Sequence, residues 1–163
     1  MGDPHVELPP RAPTTVAAGV VAALVSLYFL ARGIESISYG WRDVPEELRL
    51  RALALDIPDL TPSTMVMAGG AMVITSLIGM ALAVGVLRRR GGAREGAFVI
   101  FGFFAFLMMV FGLFSFAHGG WQGVLAGACN VAVVALLLVP TTALDFERVE
   151  LARQRARDRA AAM

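Results

Sequence analysis

The chain has 163 residues, of which 57% are hydrophobic, and its mean hydropathy is +0.69. A soluble domain has about 45–50% apolar residues, so this composition excludes an ordinary soluble protein and indicates an integral membrane protein. The formal net charge is only +1 because 14 basic residues balance 13 acidic ones, and it gives no indication of a nucleic-acid partner. The single cysteine, Cys129, excludes an intramolecular disulfide.

Four apolar stretches are long enough to cross a bilayer. A helix needs about 20 residues to cross a hydrocarbon core about 30 Å thick, and stretches of this length lie at about 15–37, 64–87, 97–117 and 120–140. The sequence therefore predicts an all-α fold, a four-helix transmembrane bundle over residues 15–140. An N-terminal tail, 1–14, precedes the bundle, and a helical tail, 141–163, follows it.

The connecting segments predict the orientation, because arginine and lysine are enriched in cytoplasmic loops. The link between the second and third spans is rich in arginine, as is the tail after the fourth span, whereas the connector 38–63 is acidic. We expect both termini to be cytoplasmic and the connector to be external. All basic residues are arginine, which we attribute to a GC-rich genome, so the predicted location is a bacterial plasma membrane. The first span is too long for a typical cleaved signal peptide, and we expect it to be retained.

Two short polar segments have helical patterns. The connector sequence "DVPEELRLRALAL" has Asp43 in position to cap a helix, which predicts a short amphipathic external helix with Val44, Leu48, Ala52 and Leu55 on its apolar face; its alternation also fits a strand. In the tail, Asp145 can cap a helix that continues into the cytoplasm. This tail is either a solvated extension or a basic arm that touches anionic lipid or a partner.

The fourth span carries a face of small residues. Gly119, Gly123 and Gly127 repeat every four residues, and Asn130 continues the same face. Close packing drives helix association in membranes, and small residues allow it. The third span holds eight of the ten phenylalanines, so we expect the third and fourth spans to form a tight hairpin with some rings over the glycine face. The expected hydrogen-bonding partners of Asn130 are Thr75 and Ser76 of the second span, where Gly79 belongs to a further small-residue face.

Polar residues near the outer end of the first span form the strongest candidate for a ligand site. Tyr28, Arg32, Glu35 and Tyr39 lie along one stripe of the helix, and charges within a span often mark function. At the same level we expect three residues of the third-to-fourth turn, His118, Trp121 and Gln122. The simpler interpretation is an interfacial ion pair within an aromatic belt. The residues do not form a typical metal site, and nothing in the sequence implies a cofactor.

The layout of four spans, an acidic outer connector, an arginine-rich inner link and the ending "LLLVPTTALDFERVE" resembles uncharacterised four-span integral membrane proteins of actinobacteria. The similarity covers most of the chain but rests on layout and composition. It implies a membrane location and no activity.

The sequence favours a non-enzymatic membrane protein that works by helix association, as a homo-oligomer or as an accessory or assembly subunit of a plasma-membrane complex. Its expected partners are membrane lipids and other membrane subunits or itself. The alternative is a small transporter, channel or ligand-binding protein with an outward-facing site at Arg32, Glu35 and His118. A third interpretation, a membrane-bound enzyme, lacks a visible set of acid–base groups.

Overall fold

A computed structural model describes residues 8–42, 44–54, 61–115 and 121–162 of the chain. Within these ranges there are six helices and no strand, which confirms the all-α prediction. The helices are α1 (Pro13–Trp41), α2 (Glu46–Ala54), α3 (Pro62–Leu87), α4 (Gly91–Ser115), α5 (Trp121–Leu138) and α6 (Pro140–Ala161). Helices α1, α3, α4 and α5 are long and apolar enough to cross a membrane. The chain is therefore a multi-pass membrane protein built on a four-helix bundle.

Helix α4 begins at Gly91, six residues before the predicted span. Its first turns contain the charged residues Arg94 and Glu95. The predicted span began after them because it was defined by apolar residues, although the backbone is already helical there. Arg94 donates a hydrogen bond from Nε to the carbonyl of Leu137 at 3.2 Å, which caps the last turn of α5. The polar start of α4 therefore helps to terminate the neighbouring helix.

Helix α3 begins at Pro62, two residues before the predicted span. Thr61 has extended backbone angles and its side chain accepts a hydrogen bond from the Thr64 amide at 3.3 Å, while Pro62 occupies the first helical position. The connector segment is a helix, α2, and not a strand. Val44 is buried, whereas Leu50 and Leu53 are exposed; Asp43 and Leu55 lie outside the described residues.

The bundle consists of two closely packed antiparallel pairs, α1 with α3 and α4 with α5. In the first pair a Cβ added to Gly33 would lie 2.9 Å from the carbonyl oxygen of Gly69. In the second pair a Cβ added to Gly123 would lie 3.0 Å from Cα of Gly112. Glycine at these positions lets the two backbones of each pair approach more closely than any other residue would allow.

Among the described residues, the buried apolar cluster that joins the two pairs lies at one end of the bundle. The buried apolar cluster combines residues from the start of α1, the end of α3, the start of α4 and the end of α5: Ala18, Ala22, Val25, Ala83, Val86, Ala97, Phe101, Val133 and Leu137. Phe146 of α6 completes the cluster. We call this the Arg89 end of the bundle, and the opposite end the Arg32 end. Toward the Arg32 end a cleft and a cavity lie between the helices.

Helix α6 begins at Pro140, directly after α5, and packs across the Arg89 end. Its buried residues Thr142, Asp145, Phe146 and Val149 recur at helical spacing and form one face. The predicted helical tail is therefore present, but its first turns are packed against the bundle. Asp145 lies in the second turn of α6, so its predicted role as a cap is wrong. Proline supplied the start, because it lacks the amide hydrogen that a first helical position leaves unused.

Candidate functional site

A cleft of about 460 Å³ lies between α1 and α5 toward the Arg32 end. Its lining comes from one face of each helix: Val21, Leu24, Val25, Tyr28, Phe29 and Arg32 of α1, and Trp121, Gln122, Leu125, Ala126 and Cys129 of α5. Ligand sites have volumes of about 300–1,000 Å³ and mostly apolar walls with a few polar groups. The α1–α5 cleft, defined by these residues, has both properties.

The polar residues of the α1–α5 cleft lie at one end of it. Because the two helices are antiparallel, Arg32 near the end of α1 lies level with Trp121 and Gln122 at the start of α5. The residues deeper in the bundle are apolar, from Leu24 to Cys129. At 1.5 Å per residue Arg32 lies about 28 Å from the start of α1, close to the full thickness of a hydrocarbon core. The cleft therefore leads from a membrane interface toward the membrane interior.

Of the residues that the sequence nominated for an outer ligand site, four line this cleft: Tyr28, Arg32, Trp121 and Gln122. Glu35 does not line it. Its carboxylate accepts hydrogen bonds from the Arg32 guanidinium and, at 2.8 Å, from the Tyr39 hydroxyl. The Arg32 and Glu35 side chains are 46% and 38% exposed, so this ion pair is open to its surroundings. His118 lies outside the described residues.

The small-residue face of the fourth span is turned toward α4. Gly123 lies against Gly112, and a Cβ on Gly127 would lie 2.8 Å from Cγ of Met109. The side chain nearest to Gly127 is therefore that of Met109. Gly119, the first member of the predicted face, lies outside the described residues.

The predicted hydrogen bond between Asn130 and the second span is absent among the described residues. Asn130 donates from Nδ2 to the Ala126 carbonyl at 2.8 Å, and the hydroxyls of Thr75 and Ser76 donate to the carbonyls of Ala71 and Met72. Each polar side chain thus bonds to its own helix one turn earlier, a local solution that needs no other helix. Asn130, Thr75, Ser76 and Gly79 nevertheless line one common cavity.

A buried polar cluster at the Arg89 end was not foreseen from the sequence. Arg89 and Asp145 form an ion pair with 3.1 Å between Nη1 and Oδ1, and their side chains are only 5% and 4% exposed. The other carboxylate oxygen, Oδ2, accepts hydrogen bonds from the Thr15 hydroxyl at 2.8 Å and from the Ala12 amide at 3.3 Å. Arg89 also donates to the Pro9 carbonyl at 2.7 Å. This cluster joins the N-terminal segment, the α3–α4 link and α6.

The backbone of Arg89 has a left-handed conformation with φ of 53°. Its amide bonds to the Val86 carbonyl and the Arg90 amide bonds to the Gly85 carbonyl, the two hydrogen bonds of a Schellman motif, in which glycine normally occupies the left-handed position. Gly91 and Gly92 follow immediately, yet arginine stands at the turn. The strained position carries the side chain that reaches Asp145.

Further hydrogen bonds strengthen this junction. Thr142 of α6 donates to Thr14 Oγ1 at 2.8 Å. Arg153, one turn beyond the buried part of α6, donates from Nη1 to the Arg89 carbonyl at 3.1 Å and from Nη2 to the Arg88 carbonyl at 3.3 Å. The carbonyls at the end of α3 thus obtain a cationic partner, which suits the negative end of a helix dipole.

The pKa of Asp145 is lowered by its surroundings. Burial by itself raises the pKa of a carboxyl group, and it is the largest single effect here, but the hydrogen bonds from Thr15, Arg89 and the Ala12 amide and the charge of Arg89 together outweigh it. The carboxylate is therefore ionised at neutral pH, as the ion pair requires. The sequence does not single out this pair, because Arg89 and Asp145 each lie among several other charged residues.

Within the described ranges no three residues of the types His, Cys, Asp and Glu lie close enough together to hold a metal ion. Comparison of the chain with protein-family models, curated proteins and solved structures found no match. The candidate function therefore rests on the geometry of the cleft and of the bundle.

Proposed function

We propose that this protein is a non-enzymatic membrane protein that binds an amphiphilic molecule in the α1–α5 cleft. The observation that carries the proposal is the distribution of polarity along the cleft, with Arg32 and Gln122 at the interface end and Leu24 and Cys129 in the interior. A lipid-like molecule has the same distribution. Its apolar chain would replace lipid contacts along the helices while its headgroup stays at the membrane surface.

The residues at the interface end favour a headgroup that accepts hydrogen bonds. Arginine and tryptophan side chains can only donate, and arginine has five N–H groups. Arg32 uses Nη1 for Glu35, and both oxygens of that carboxylate already have donors. The remaining donors of Arg32, together with Trp121 and Gln122, suit a phosphate or an ester carbonyl, for which the planar guanidinium is a good partner.

Tryptophan fluorescence tests this proposal directly, because the chain has only Trp41 and Trp121. In a Trp41→Phe background, Trp121 becomes a single reporter within the cleft. The purified full chain in a sugar-based detergent is titrated with a phospholipid that carries bromine on its acyl chain, which quenches tryptophan on contact. We expect quenching that saturates at a low lipid ratio, whereas non-specific contact in the micelle rises without saturation.

Two matched controls separate the cleft from the lipid belt. Arg32→Gln removes the headgroup donors, and Arg42→Gln removes an exposed arginine near the same end that does not line the cleft. N-ethylmaleimide on Cys129 fills the cleft covalently, and a Cys129→Ala variant shows whether the reagent acts elsewhere. We expect Arg32→Gln and the modified protein to need several-fold more lipid for half quenching. Equal curves for Arg32→Gln, Arg42→Gln and the unmodified protein would reject the proposal.

A second candidate function is association, as a homo-oligomer or an accessory subunit. The observation that favours it is on α6, a polar helix outside the four apolar spans, where Leu144 and Leu151 are 47% and 51% exposed on the side opposite the buried face. Native mass spectrometry of gently extracted protein tests it: association would appear as a stable complex that Leu144→Ser with Leu151→Ser disrupts. A monomer in both cases would contradict this candidate.

For the orientation, we propose that the Arg89 end faces the cytoplasm of a bacterial cell. The support is the concentration of arginine there, in the α3–α4 link and on α6. In a Cys129→Ala background, Gly92→Cys and Ser63→Cys place one thiol at each end, since both positions are exposed. A membrane-impermeant maleimide should label the variant at position 63, and not the variant at position 92, in intact cells; the reverse pattern would overturn the orientation.

A further inference from the structure

A second space between the helices lies beside the α1–α5 cleft. This cavity has a volume of about 260 Å³ and is separated from the α1–α5 cleft by Val25 and Phe29, which line both. We call it the Asn130 cavity. Besides apolar residues of α1, α3 and α4, it is lined by four polar side chains, Ser26, Thr75, Ser76 and Asn130.

The amide of Asn130 is almost fully buried and largely unused. Its side chain is 1% exposed and makes one hydrogen bond to the described part of the chain, from Nδ2 to Ala126. An asparagine amide has two donor hydrogens and an oxygen that can accept two bonds. No side-chain N or O atom among the described residues is both enclosed by protein and unpaired, so the amide oxygen of Asn130 borders the cavity.

The three hydroxyl groups of the cavity have their hydrogens committed. Ser26 donates to the Ala22 carbonyl at 2.8 Å, and Thr75 and Ser76 donate to carbonyls of α3 at 2.8 and 2.6 Å. A hydroxyl has one hydrogen and two lone pairs, so each oxygen can still accept. The polar part of the cavity is therefore rich in acceptors, in contrast to the donor-rich entrance of the α1–α5 cleft.

The apolar part of the cavity suits an aromatic ring. Phe29, Phe101 and Phe104 line it, and the rings of Phe29 and Phe104 are tilted against each other at 6.2 Å between centroids. An apolar cavity of about 150 Å³ can hold benzene, so the Asn130 cavity accommodates a ring with a substituent. In an apolar environment an acceptor without a donor costs free energy, and a ligand that donates to it would recover that cost.

From these observations we infer that the Asn130 cavity is a binding site for a small uncharged aromatic alcohol, with the hydroxyl donating to Asn130 or a neighbouring hydroxyl oxygen and the ring packed among the phenylalanines. Such a molecule reaches the cavity through the membrane, because it is apolar and uncharged. The inference is independent of the proposed lipid site, since the two spaces have different polar linings and opposite hydrogen-bonding character.

The test compares 4-(trifluoromethyl)benzyl alcohol with its methyl ether, in which a methyl group replaces the donor hydrogen, by ¹⁹F NMR of the purified full chain in detergent. We expect a bound resonance for the alcohol and an affinity roughly tenfold above that of the ether, the usual net value of one hydrogen bond. Equal affinities of the wild-type protein for the two probes, or no bound resonance at all, would overturn the inference, as expected if an acyl chain or water fills the cavity.

Two variants place the effect in the cavity. Asn130→Leu removes the amide at similar volume, and Thr75→Val removes one hydroxyl without changing shape; each should reduce the preference for the alcohol while the ether still binds. Thr64→Val, an exposed threonine on the same helix, and Arg32→Gln, in the α1–α5 cleft, are the controls and should keep the wild-type preference. An undiminished preference in both cavity variants would overturn the inference; if Asn130→Leu does not fold, the comparison of the two probes on the wild-type protein decides the matter.

Discussion

The guanidinium of Arg89 and the carboxylate of Asp145 lie 3.1 Å apart although 56 residues separate them, and both side chains are buried. The pair connects α6 to the link between α3 and α4, and through Thr15 it also holds the start of α1. The three segments meet where the two helix pairs pack tightly. The Arg89 end thus joins the two pairs, and the cleft and the Asn130 cavity lie farther along the bundle.

Loss of the Asp145 charge should destabilise the bundle. Removing one partner of a buried ion pair costs roughly 3–5 kcal/mol, because the other charge stays buried without compensation. We expect the free energy of unfolding of Asp145→Asn, measured in mixed micelles with increasing SDS, to fall by about this amount. Asp158→Asn, on the exposed side of the same helix, should change it by less than about 0.5 kcal/mol. Equal effects of the two substitutions would contradict the structural role of the pair.

Acid should remove the contribution of Asp145. Its pKa in the folded protein lies below the ordinary value of 3.8, so the unfolded chain takes up the proton first as the pH falls. The stabilisation is therefore complete above the unfolded pKa and is lost as the pH falls through the lower folded pKa. The difference in free energy of unfolding between wild type and Asp145→Asn should be constant from pH 7 to about 5 and should shrink below about pH 4. A difference that stays constant to lower pH would show that the carboxylate does not contribute in this way.

The left-handed backbone of Arg89 predicts an unusual order of stability. Glycine adopts a positive φ readily, whereas alanine pays roughly 1–2 kcal/mol there. Arg89→Gly should therefore be more stable than Arg89→Ala by about 1 kcal/mol, although both lose the ion pair and should be less stable than the wild type. At Arg90, which does not have a positive φ, glycine should be no better than alanine. The same order at both positions would argue against strain at Arg89.

Close contact between α4 and α5 depends on Gly112. A Cβ there would lie 2.5 Å from the backbone nitrogen of Val124, which cannot move without the helix, whereas a Cβ at Gly70 of α3 meets no atom within 4 Å. Gly112→Ala should lower the free energy of unfolding by about 1–3 kcal/mol. Gly70→Ala should leave it unchanged or raise it by up to about 1 kcal/mol, since alanine favours helix. Thermal unfolding in detergent measures both, and a gain for Gly112→Ala would contradict the packing.

Some local features were predictable because their causes lie within a few residues. The cap at Thr61 and the proline after it define the start of α3 by short-range chemistry. The nominated residues Tyr28 and Arg32 lie on one stripe of α1 by helical periodicity alone, and the same stripe lines the cleft. The cap predicted at Asp145 failed because Pro140 begins α6 earlier and tertiary contacts use the carboxylate.

Other features depended on which helices pack together. The sequence suggested that Asn130 would bond across to Thr75 or Ser76, but a turn of its own helix already offers a carbonyl, and the three residues share a cavity instead. Nothing in the sequence indicated that Gly112 would oppose Gly123, because small residues occur on several helices and their pattern does not say which faces meet.

The sequence by itself determined the all-helical character and four helices of membrane length, since apolar runs of sufficient length have few alternatives once the backbone must satisfy its own hydrogen bonds in lipid. The tertiary structure alone decided that α1 pairs with α3 and α4 with α5, that Arg89 meets Asp145, and that the cleft and the Asn130 cavity lie between the helices. Those outcomes depend on contacts between residues far apart in the chain. The free energy of such contacts depends on how two whole helix faces fit together, and no single segment contains that information.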